Sequence, residues 1–172
     1  MIAMTEALVV VDIQLALAAD DGTPPPSELL SRWANEAYRQ VATSATEITI
    51  RLVGESEMAE LNATYRGKQG TTNVLSFPFD NEFDLTAIPE TDNDVMADML
   101  SHFLGDIVIC HSVIEREARE QNKLEAHHYA HMVVHGVLHL CGYDHINNDD
   151  AEEMEALEVK ILAKSNIENP YT

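Results

Sequence analysis

The stretch from His131 to His145, His-Met-Val-Val-His-Gly-Val-Leu-His-Leu-Cys-Gly-Tyr-Asp-His, constrains this chain more than any other. His135 and His139 stand four residues apart, which on an α-helix puts both imidazoles on one face, one turn apart, where two nitrogens can converge on one ion. Gly142 then supplies a residue that can end the helix in the left-handed conformation and turn His145 back toward the pair. Three neutral imidazoles with a fourth position left for water make a catalytic zinc arrangement, whereas structural zinc is closed by four protein ligands. The expectation is one Zn2+ per chain on His135, His139 and His145. His131 shares the stripe but lies about 12 Å along the axis from His139, too far to bind the same ion. It either supports the ligands from behind or packs at the surface.

The spacing also occurs in metzincin proteases, H-E-x-x-H-x-x-G-x-x-H, whose glutamate is the general base. Gly136 occupies that position here, so peptide hydrolysis by that route is disfavoured.

The rest of the chain must build a scaffold for this helix. A length of 172 residues is enough for a single domain with a real core. A formal net charge of −20 has the wrong sign for a broad nucleic-acid-coating surface, so any RNA contact must be local, and DNA binding is not expected. Cys110 and Cys141 sit in apolar contexts and read as small buried thiols. No apolar run approaches the ~20 residues needed to span a bilayer, and a soluble cytoplasmic protein is expected.

In order, Leu8 to Leu17 reads as a strand, and Ser27 is positioned to cap a helix through Gln40 with Trp33 in the core. Thr46 to Val53 alternates as a half-buried strand. Ser56 opens a helix that Gly67 stops, exposing Arg66 and Lys68 beside the turn at Gly70 to Asn73. Val74 to Phe79 is a short strand that Pro78 confines to an edge or a bulge. An acidic, turn-rich loop is expected over 80–99. Leu104 to Cys110 is a further strand, in which Asp106 either orients a ligand histidine or a water, or bonds a turn. A helix from His111 or Ser112 to Gln121, the ligand helix from Glu125 to Cys141, and a last helix capped by Asn147 or Asn148 complete the chain; the tail from Glu168 carries no signal. The pattern predicts an α+β fold, a small mixed four-stranded sheet packed with helices, with the metal site at the end of a buried helix.

The word His-Gly-Val-Leu-His-Leu-Cys-Gly-Tyr-Asp-His closely resembles the signature of the YbeY family of bacterial endoribonucleases. Glu60-Leu61-Asn62 through Tyr65-Arg66-Gly67-Lys68, Thr72-Asn73-Val74-Leu75-Ser76-Phe77-Pro78, Leu104-Gly105-Asp106 and Glu152 to Leu157 are similar to its other blocks, so that the likeness runs from Ile48 to the end. The resemblance implies zinc on the three histidines, cleavage of single-stranded RNA, maturation of 16S ribosomal RNA at its 3′ end and quality control of 70S ribosomes. It also implies the small ribosomal subunit and an associated GTPase as partners, and Arg66 matches the family's functional arginine. No substrate contact is carried into 80–99.

On this reading His135, His139, His145 and Arg66 are catalytic. The ion would activate water or polarise a phosphoryl oxygen, and Arg66 would neutralise charge growing on the phosphate. Lys68 and Asn73 are candidates to position the RNA backbone. Asp144 could act on the water or support a ligand, and cleavage assisted by the ribose 2′ hydroxyl stays open. Two rivals remain: a zinc-stabilised ribosome-assembly factor without chemistry of its own, and a metalloprotease drawing its base from elsewhere in the chain.

Overall fold

The computed structural model describes residues 8–79 and 103–172. The expected acidic loop over 80–99 lies outside the described residues. Strand β1 (Val9–Ala16) is followed by α1 (Ser27–Arg39), β2 (Thr46–Val53), α2 (Glu55–Arg66), β3 (Val74–Pro78), β4 (Phe103–Cys110), α3 (His111–Glu120), α4 (Glu125–Leu140) and α5 (Asn148–Ala163). The element order matches the pattern of apolar periodicities, and the architecture is an α+β fold with one mixed four-stranded sheet.

The strands lie in the order β1-β2-β4-β3. β1, β2 and β4 run parallel, and β3 pairs antiparallel to β4 at the edge. Pro78, which has no amide hydrogen, ends this edge strand as its chemistry requires. Period-two alternation sends Ile48, Ile50 and Leu52 of β2 and Ile107 and Ile109 of β4 to one face. There they meet Leu30, Trp33 and Ala37 of α1 and Val133, Val137 and Leu138 of α4 in the main core. The opposite face carries a smaller cluster, in which Met58 of α2 packs on Val53, Val108 and Leu75.

Helix starts depart from the serine caps expected above. α1 begins at Ser27 itself, and the cap position belongs to Pro26, whose carbonyl accepts from the amides of Leu29 and Leu30. A proline already holds the φ that such an entry needs, so the serine hydroxyl has no capping role. α2 begins at Glu55 after an extended Gly54, one residue ahead of Ser56, with Glu55 and Glu57 at its positive end. α5 has the expected cap, Asn147 Oδ1 accepting from the Asp150 amide at 2.8 Å.

One glycine sets how closely the sheet approaches the ligand helix. Gly105 adopts φ +153°, and a Cβ there would lie 2.4 Å from the Phe77 carbonyl oxygen and 2.8 Å from Leu140 Cδ2. Only glycine lets β3 and the end of α4 close on β4 at this point.

Candidate metal centre

α4 is buried along most of its length and places His135 and His139 on one side of its last two turns. Its end is a Schellman turn, in which the Tyr143 amide donates to the Leu138 carbonyl and the Gly142 amide to that of His139, both at 3.0 Å. Gly142 has φ +99°, the conformation expected of it. The reversal carries His145 back, so that its ring lies 5.1 Å from that of His139 and 5.8 Å from that of His135, centroid to centroid.

Nε2 of His135 and Nε2 of His139 are 3.0 Å apart, and one nitrogen from each of the three rings lies within 4.8 Å of the others. Nitrogens bound tetrahedrally to one zinc-type ion sit roughly 3.4 Å from one another, so small ring rotations complete the geometry. Burial first, and then His135 and His145, pull the His139 imidazole below its ordinary pKa, which favours the neutral form that a metal would need. Cys141 is outside this converging group, and burial lifts its thiol to about 11.

Behind the ligands stands Glu158 of α5, a residue singled out by no sequence argument. It is 0% exposed. Nδ1–H of His135 donates to its Oε1 at 2.7 Å, Nε2–H of His131 donates to its Oε2 at 2.9 Å, and the Tyr171 hydroxyl donates to Oε2 as well. Burial opposes the charge on this carboxyl, but the bonds from His131, His135 and Tyr171 prevail and hold it down to about 2. A carboxylate on Nδ1 fixes the His135 tautomer, leaves Nε2 facing His139 and raises its basicity. Glu158 was detectable as a lone acid on the apolar stripe of Met154, Leu157 and Ile161. Of the two readings of His131, the structure shows the supporting one. The tail also carries more than expected, because Tyr171 closes the carboxylate and Lys123 Nζ donates to the Pro170 carbonyl at 2.8 Å.

A groove of about 750 Å³ runs past the three histidines, walled on one side by Gly142 to His145 and on the other by β3 and the end of α2. Arg66 and Asn73 line it together with the ligands, and Lys68 is not among its lining residues. Arg66 is exposed where Gly67, at φ +62°, ends α2. Buried Asn62 steadies this turn by donating from Nδ2 to the Gly70 carbonyl at 3.0 Å, and Tyr65 sets its ring edge-on to Phe77 of β3. The Asn73 side chain is engaged within the fold, accepting from the Val74 amide at 2.7 Å and reaching Glu117 at 3.4 Å. Asp144 also faces the groove, with Oδ1 accepting from the His145 amide at 2.7 Å.

Asp106 does not orient a ligand. It stands beside Thr49, its register partner on β2, in a cavity with Arg51 and Glu57 on the α2 side of the sheet, away from α4. Burial raises its carboxyl above the ordinary value, opposed by a hydrogen bond with Thr49. Gly136 faces the sheet, where a Cβ would touch Ile107 at 3.0 Å. A larger side chain at that position would press on Ile107 of the sheet.

The model of the family described as Endoribonuclease YbeY matches residues 23–166. A curated relative, Endoribonuclease YbeY of Pseudomonas entomophila (strain L48), is 51% identical over 153 residues, covering 89% of this chain and 88% of that one. The solution structure of TM1509 from Thermotoga maritima, 24% identical, superposes with a TM-score of 0.52 over 91% of this chain and 92% of that chain, and so shares the fold.

Proposed function

The chain belongs to the YbeY endoribonuclease family, and from that premise we propose that it is a zinc-dependent endoribonuclease cleaving single-stranded RNA in the groove between α4 and β3. One observation carries the reading. Arg66, remote in sequence from the histidines and carried by another helix, lines the same groove as they do.

His135, His139 and His145 would hold the ion, and the donor set fits one, since three imidazole nitrogens converge and a buried carboxylate aligns the first. When bound, zinc supplies Lewis acidity, polarising an oxygen at the open fourth position and bringing the pKa of water toward about 7. The chain's own residues do the rest. Arg66 presents a planar guanidinium to the phosphate and stabilises the charge that grows on it in the transition state. Glu158 keeps the proton of His135 on Nδ1 throughout. Asp144, with one carboxylate oxygen engaged by the His145 amide, stands at the groove wall to accept a proton from the attacking oxygen. Edge strand β3 offers the single strand a line along which to lie. Lys68, exposed and outside the groove lining, contributes only long-range attraction to the RNA backbone.

In a chain this acidic a natural substrate must be presented locally rather than gathered by a basic surface. The 3′ end of 16S ribosomal RNA, within the small subunit and in the cytoplasm, meets that requirement, and surveillance of 70S ribosomes is the companion role. Among the described residues no helix is long and apolar enough to cross a membrane.

The test pairs elemental analysis with cleavage of a single-stranded RNA, for wild type and His139→Ala at equal folded concentration. The variant is expected to carry one zinc fewer per chain and to lose cleavage. Cleavage undiminished without that zinc would overturn the proposal, and an inactive wild type with zinc bound would point to an assembly factor instead.

A further inference from the structure

A second cluster of groups able to hold a metal lies at the first turns of α3 and α4. His111 opens α3, Glu115 lies one turn on, and Glu125 opens α4; one donor atom from each lies within 4.8 Å of the others. Acidic residues near a histidine are common and mean little alone. Here the histidine is 0% exposed, and its Nε2 has no hydrogen-bond partner. That nitrogen points into the cluster, 3.3 Å from Glu115 Oε1, in a geometry that makes an ion-pair contact without a hydrogen bond. Nδ1, on the other side of the ring, bonds the buried Tyr129 hydroxyl. The loop after β1 roofs the cluster at Gly22, where φ is +95° and a Cβ would lie 3.1 Å from Nε2 and 3.3 Å from Glu115 Oε1.

We propose that His111, Glu115 and Glu125 form a second cation site, which binds a divalent transition-metal ion of the zinc class and joins α3, α4 and the loop after β1. In the tautomer whose proton sits on Nδ1, bonded to Tyr129, Nε2 presents a bare lone pair to carboxylate oxygen, two acceptors with nothing between them. A cation between them removes that conflict. One imidazole and two carboxylates suit Zn2+, with the fourth position left to water. Donor separations shrink to roughly 3.4 Å around such an ion. Glu115 and Glu125, both only half-buried, have the freedom to close that distance. Tyr129 is the positioning residue, since a buried phenol that burial holds well above its ordinary pKa stays neutral and can accept from Nδ1–H.

The site shares no residue with the histidine groove, so zinc counting separates the two. After equilibration with Zn2+ and removal of loosely held metal, the wild type is expected to carry two ions per chain, and His139→Ala and Glu125→Gln one each. The double variant should carry none, and Glu125→Gln should retain RNA cleavage. Added Zn2+ should raise the melting temperature of His139→Ala and leave that of the double variant unmoved. A wild type holding a single ion, or a second ion retained in Glu125→Gln, would overturn the proposal. The alternative that remains in those cases is the Nε2–H tautomer of His111 facing Glu115, with no cation between them. Failure of RNA cleavage in every sample would leave this count unaffected.

Discussion

The two walls of the groove are built on opposite principles. On the α4 wall the His135 imidazole is backed by Glu158, on which His131 and Tyr171 also converge, so that both oxygens of the buried carboxylate are engaged. On the α2 wall Arg66 stands exposed after a glycine turn, and among the described residues it makes no ion pair. An ion on the three histidines would have to be held to fractions of an ångström, which a buried hydrogen-bond relay can do. In the proposed role, a guanidinium that follows a phosphate from ground state to transition state would need reach instead, and an exposed helix end provides it. Precision and adaptability are thus assigned to different elements.

Breaking each wall should give a different signature. Arg66→Ala, the largest effect on turnover, is expected to slow cleavage about 10²- to 10³-fold with zinc content unchanged, the magnitude found for loss of one transition-state donor. Zinc lost together with activity would show that Arg66 acts on the α4 wall after all. Glu158→Gln should weaken zinc binding about 10- to 100-fold, measured by competition with a chromophoric chelator, and lower activity only as far as metal is lost. The same variant sharpens the comparison in acid. The folded Glu158 carboxyl sits at about 2 against an ordinary 4.5, so the unfolded chain takes up the proton first as pH falls. Its contribution is full above pH 4.5 and is lost between there and about 2, on the order of 3 kcal/mol in metal-free protein. Acid unfolding of Glu158→Gln should be flatter across that window, and parallel profiles would contradict the assignment. Tyr171→Phe, the smallest change, removes one of three donors to Glu158 and should weaken zinc only a few-fold, read in the same competition assay.

What could be read in the sequence follows the same division between near and far. His135, His139, Gly142 and His145 are legible because helix period and a glycine turn are local rules. Glu158 reaches the site from another helix, and its only trace in sequence is an acid interrupting an apolar stripe. Tyr171 left no trace, since a tail has no periodicity to interrupt. Asp106 was open to two readings because β4 is an almost unbroken apolar run, which hides the face that α4 covers. The insertion of β4 between β2 and β3 is equally invisible, as strand pairing across such separations obeys no local pattern. The α+β class, the edge position of Pro78 and the buried ligand helix needed only composition and period.

The tight spacing of the three histidines also bears on what a bound metal would do for folding. His135, His139 and His145 fall within one short stretch of chain, so an unfolded polypeptide can already chelate with it. Stabilisation by an ion depends on how much more strongly the native state binds than the unfolded one, not on native affinity alone. What the native state adds is the Glu158 relay, contributed by a separate helix. On the proposed reading, thermodynamic linkage between zinc and folding would therefore reside less in the three histidines that would touch the ion than in the one carboxylate that would not.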